Sequence, residues 1–126
     1  MPWQKILNLV IGSVAGGFAR YALAGWVQVR ADSVFPYGTL IVNLTGCLLI
    51  GFFDSLMEYK YLMTPNDRIL LMTGFCGAFT TFSTFILETS NLWKDGEKWP
   101  ACANVLASVT LGIIVFRLGV MLGRAI

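Results

Sequence analysis

Four long apolar stretches alternate with short polar segments along the 126-residue chain. The apolar stretches cover residues 6–26, 38–57, 69–92 and 101–122, each close to the ~20 residues that cross a hydrocarbon core as a helix. The segments between them carry charges, prolines and turn formers. The first holds Arg30, Asp32 and Pro36, the second Lys60, Pro65, Asp67 and Arg68, and the third Lys94, Asp95, Glu97 and Lys98. This pattern predicts an all-α integral membrane protein. It forms a single four-span domain over residues 1–126, with short loops and both termini on one side. The first stretch is Gly-rich, runs past Arg20 and lacks a small-residue cleavage site, so it reads as a span and not as a cleaved leader. Trp3 suits an interfacial anchor. Asn66 and Asp67 suit the cap of the third helix.

The third stretch breaks the pattern of a plain membrane helix. Thr73 to Phe85 packs Gly74 and Gly77, four phenylalanines (Phe75, Phe79, Phe82, Phe85) and the hydroxyls of Thr80, Thr81, Ser83 and Thr84 into thirteen positions. Gly and Thr weaken helix propensity, which predicts a break near residues 77–80. Irregular backbone at membrane depth persists where it is buried in protein or lines a wet cavity. Hydroxyls beside aromatic edges fit a lining for something small. The other reading is a packing helix whose small residues let neighbours approach closely.

Polar residues recur in the other spans. Gly12 and Gly16 give a Gly-x-x-x-Gly face in the first. Arg20, deep in the same span, calls for a partner or a role, or else snorkels to a headgroup. Thr39, Asn43 and Gly46 share one face of the second span. There Asn43 serves either as a hydrogen-bonding link between helices or as a contact for a polar substrate. Glu88 shares a face with Thr81 and Thr84 and is either an intramembrane carboxylate with a function or an ordinary glutamate at the membrane edge. Asn104, Ser108 and Gly112, four apart, line up along the fourth span.

Composition narrows the function classes. Charged residues make up 13% of the chain and apolar ones 56%, against about 25% charged in a soluble domain. Histidine is absent, and Cys47, Cys76 and Cys102 have no paired spacing, which removes zinc and dithiol redox chemistry. Phosphate-loop and nucleophile-elbow motifs are absent, so an enzyme has almost no support. A dispersed net charge of +2 gives no nucleic-acid footprint.

The loop charges are nearly balanced. Lys5, Lys60, Arg68 and Arg124 lie on the side of the termini, and Arg30, Lys94 and Lys98 on the other. The positive-inside rule then barely selects an orientation, which implies that the chain inserts both ways. Four spans enclose little volume, so a pore or transport path needs a second copy. Closed twofold assemblies are the commonest kind. Together these predict an antiparallel, dual-topology homodimer.

Gly74 to Phe85 with Glu88 following, Gly38 to Gly46, and Gly16 to Tyr21 resemble the Fluc family of bacterial fluoride channels. With length and span number, the resemblance covers essentially the whole chain. It implies a passive fluoride channel in the bacterial inner membrane that lets cytoplasmic fluoride leave and so reduces its toxicity. It also implies an antiparallel homodimer in membrane lipid with two pores. By the same resemblance the pore phenylalanines are Phe82 and Phe85 and the pore asparagine is Asn43. Thr39, Ser83, Thr84 and Ser108 fall in the polar lining, and Arg20 stands near the pore entrance. A structural sodium ion at the dimer centre would be held by backbone carbonyls of Gly77 and Thr80. The chain departs from the pattern at Ala78, where many relatives have glycine, and at Asn104, where some have tyrosine; Gly112 stands where a serine may occur.

The chemistry of fluoride fits these residues. The ion is small and strongly hydrated, and amide and hydroxyl donors can replace its water. A phenyl ring offers a positive edge, and weak binding at several sites favours passage over trapping. The competing reading is a proton-coupled exporter of the small multidrug-resistance type, also a four-span dimer. That class needs a carboxylate in its first span, where this chain has Arg20 and no Asp or Glu. A non-transporting scaffold would account for the glycine faces but not for the Phe/Thr stripe.

Overall fold

The computed structural model describes residues 2–126. It is helical throughout, without strands among the described residues. The chain runs through α1 (Pro2–Ala31), α2 (Tyr37–Glu58), a composite third span and α6 (Lys98–Ala125). The third span comprises α3 (Pro65–Arg68), a π-helical stretch (Ile69–Cys76), α4 (Gly77–Phe79) and α5 (Phe82–Lys94). Four helical segments are thus long and apolar enough to cross a membrane. They outrun the apolar stretches from which they were predicted. The 30 residues of α1 reach about 45 Å at 1.5 Å per residue, past a ~30 Å core. The polar ends Gln4, Lys5, Gln28 and Arg30 are therefore part of the helix rather than of the loops.

The third span opens on a capping box. Thr64 accepts from the Asp67 amide, Asp67 accepts from the Thr64 amide, and Pro65 takes the first turn. The N-cap is Thr64, one position before Pro65; of the expected pair Asn66 and Asp67, Asp67 takes part, as the third residue of the box. The π stretch was not expected. Such wide turns are rare and cluster at functional sites.

Glycine sets the close approaches. On α1, a Cβ at Gly12 would strike the Leu70 carbonyl oxygen, and one at Gly16 that of Phe75. The Gly-x-x-x-Gly face therefore seats α1 directly on π-helical backbone. The second and fourth spans pair in the same way, with Gly119 against the Leu48 carbonyl. The third span begins beside α1 and ends beside α6. It passes over α2 between the two, and its break falls at that crossing.

Candidate functional site

The break occupies Thr80 and Thr81. Thr80 has φ −90° and ψ 156°, and Thr81 has φ −146° and ψ 122°. Two extended residues thus separate two helices, at the end of the predicted window and one residue beyond it. Several of the freed backbone groups find partners. The Thr80 amide and hydroxyl both donate to the Cys76 carbonyl, at 3.0 and 2.9 Å. Thr81 is the N-cap of α5, its hydroxyl accepting from the Thr84 amide at 3.3 Å. Asn43 pairs with both backbone groups of Thr81: its Oδ1 accepts from the Thr81 amide at 2.8 Å and its Nδ2 donates to the Thr81 carbonyl at 3.0 Å. Beside it Gly46 leaves room for Thr80, whose Cγ2 occupies the space a Cβ would take. The shared face of Thr39, Asn43 and Gly46 is the face that meets the break.

Arg20 finds a partner within the protein. Its Nε donates to the Ala78 carbonyl at 3.1 Å, a cation on the C-terminal end of the helical run that stops at Phe79.

Two clefts flank the break. The first, about 480 Å³, is lined by Arg20, Gln28, Thr39, Thr81, Thr84 and Glu88 among others. The second, about 340 Å³, is lined by Asn43, Cys76, Thr81, Phe82, Phe85 and Ser108 among others. Thr81 borders both, and Asn43 holds it there. Glu88 does lie with Thr81 and Thr84, and its Oε1 is buried without a hydrogen-bond partner. Ser83 is exposed and lines neither cleft.

The four phenylalanines divide at the break. Phe75 and Phe79 stack before it, with centroids 5.4 Å apart and planes at 15°. Phe82 and Phe85 follow it, at 5.8 Å and 50°. Phe85 is buried, whereas Phe82 is 74% exposed, so the second cleft is open along the outer surface of one chain. Gly77 lies on that surface as well.

Behind the second cleft runs a hydrogen-bonded line between α5 and α6. The Thr89 hydroxyl donates to the Phe85 carbonyl at 2.8 Å. The Asn104 Nδ2 donates to the Thr89 hydroxyl at 2.9 Å. The Ser108 hydroxyl donates to Asn104 Oδ1 at 3.5 Å. Asn104 is 2% exposed and lines neither cleft. Thr89 and Gln28 did not stand out in the sequence. Gln28 donates to the Ser33 and Phe35 carbonyls and accepts from the Gly38 amide, fixing the turn from α1 into α2. A helical spacing of four from Phe85 was the one sign of Thr89.

Residues 7–120 match the family described as CrcB-like protein, Camphor Resistance (CrcB). The chain belongs to the CrcB family. Among its relatives, a protein of Desulforapulum autotrophicum is 42% identical, with 98% of each chain covered. One of Nitratidesulfovibrio vulgaris is 44% identical, covering 98% of this chain and 99% of the relative. One of Nitrosococcus oceani is 39% identical over the same shares. All three are named fluoride-specific ion channel FluC. The resemblance to fluoride channels noted in the sequence is therefore a family relationship along nearly the whole chain.

Proposed function

We propose that this protein is a passive, fluoride-selective channel of the bacterial inner membrane, with no enzymatic activity, that lets cytoplasmic fluoride leave. The observation that carries this reading is the second cleft: in a family whose relatives are named fluoride channels, two phenyl rings and the donors Asn43 and Ser108 line one groove at a helix break. Arg20 draws the anion toward the first cleft, where Thr39 and Thr84 offer hydroxyls in exchange for water. Thr81 leads from this cleft to the next, and Asn43 has a second Nδ2–H beyond the one bonded to Thr81. Phe82 and Phe85 then meet the ion by their positive edges, which hold it more loosely than a fixed charge would.

The working unit in this reading is an antiparallel homodimer with two pores. Its support is the open flank of the second cleft. A lone chain leaves Phe82 facing lipid, and a second copy would wall the groove and bring Ser83, exposed beside Phe82, to the path. Gly77 is exposed on the same surface. The amide that a continuous helix would place on its carbonyl, that of Thr81, is bonded to Asn43 instead. The Gly77 oxygen is thus freed to act as a ligand, and with the Thr80 carbonyl it suits a hard cation such as sodium. A second copy would double the set. The ion would supply positive charge between two anion paths.

Glu88 keeps one competitor in view, because it is a carboxylate whose Oε1 is buried, and intramembrane carboxylates serve as proton relays in exporters. Fluoride efflux from liposomes with and without an imposed proton gradient separates the two. The channel reading predicts efflux without a gradient, largely retained in Glu88→Gln. Efflux that requires the gradient and disappears in Glu88→Gln would establish the exporter.

A further inference from the structure

The line from Phe85 to Ser108 has a fixed direction. The Thr89 proton lies on the Phe85 carbonyl, so the Thr89 oxygen is the acceptor for Asn104 Nδ2. The amide of Asn104 is thereby oriented, and its Oδ1 faces the Ser108 hydroxyl. Ser108 has a single proton, and it borders the second cleft together with Phe85. A serine in a membrane helix otherwise gives that proton to the carbonyl four residues back, in a short and firm bond. Here the carbonyl four back belongs to Asn104 itself, and the side-chain Oδ1 of the same residue takes the proton at 3.5 Å, the long limit of a hydrogen bond.

We propose that Asn104, buried outside the cleft, is a positioning residue for the anion path: it draws the Ser108 proton off the helix backbone and holds it loosely, ready to turn to fluoride. Thr89 holds the same amide in the orientation that turns its Oδ1 to Ser108. Removing the amide returns the proton to the backbone, where it competes with the ion. The inference rests on the fluoride-channel reading of the second cleft.

The test is a double-mutant cycle on initial fluoride efflux from liposomes. Asn104→Leu should slow efflux about fivefold, the worth of one net hydrogen bond. In a Ser108→Ala background it should change the rate little, because the proton it controls is gone. Asn104→Leu at the wild-type rate overturns the proposal, as does equal slowing in both backgrounds, which is what a packing defect produces. If Asn104→Leu fails to fold, or Ser108→Ala conducts too little to measure, Thr89 supplies the second arm. Thr89→Val removes the hydroxyl that orients Asn104 and should slow efflux similarly, while Thr89→Ser restores most of the rate. Thr89→Val at the wild-type rate overturns the proposal. Wild-type liposomes that release no fluoride fail the channel reading instead, so the two failures are distinct.

Discussion

Asn43 meets two demands with one side chain. It pairs with both backbone polar groups of Thr81, and it borders the second cleft. The sequence marked it as a residue needing a partner and left open whether that partner was a helix or a substrate. The structure supplies the helix partner, and one Nδ2–H is left over for the substrate in the proposed path. The identity of that partner was not legible, because the Thr81 peptide turns toward α2 through the dihedral angles of Thr80, which no spacing reveals. Asn43→Asp keeps an acceptor for the Thr81 amide but loses the donor to its carbonyl and adds a negative charge. Fluoride efflux should fall below detection. Phe82 and Phe85 were legible as a pair three apart on one helical face. Replacing either with Ile keeps the apolar bulk and removes the positive ring edge, an interaction worth up to about tenfold in rate. Efflux slowed by about that factor, with unchanged elution on size exclusion, is expected for each. Wild-type rates in both would remove the rings from the path.

At the scale of elements, the four spans and a break in the third followed from hydropathy and residue type, whereas the π stretch did not. A wide turn leaves no periodic mark in a segment that is apolar all round, as Ile69–Cys76 is. The span ends also ran long, because apolar runs stop at the first polar residues while the helices continue through Gln4, Gln28 and Arg30. The break depends on the meeting of Gly46 with Thr80. A methyl at Gly46 would take the place of Thr80 Cγ2, an overpacking that typically costs about 1–3 kcal/mol. Gly46→Ala should therefore lower the thermal unfolding midpoint. Adding Thr80→Ser, which removes Cγ2 and keeps the hydroxyl on the Cys76 carbonyl, should recover most of the loss. Gly16→Ala should have no such remedy, since its Cβ would meet the Phe75 backbone. A Gly46→Ala midpoint equal to wild type would show that the break tolerates a wider crossing.

Over the whole molecule, the exposed Phe82 and Gly77 mark one flank on which the candidate path is open to the surroundings, consistent with a second copy completing it. The near balance of loop charges, four on one side and three on the other, predicts that the copies insert in opposite senses. A single cysteine at Lys60, in a chain with Cys47, Cys76 and Cys102 replaced, should be labelled by an impermeant thiol reagent from outside the cell in about half the molecules, the share a balanced insertion gives. Labelling of all or none would fix one orientation and rule out the antiparallel dimer. The central claim, that the path passes fluoride passively and selectively, is tested most directly in liposomes loaded with potassium fluoride or potassium chloride. Valinomycin carries the potassium, no proton gradient is imposed, and an ion-selective electrode follows the anion. Rapid fluoride release with no chloride release is the predicted result. No fluoride release, or chloride released equally fast, would contradict it.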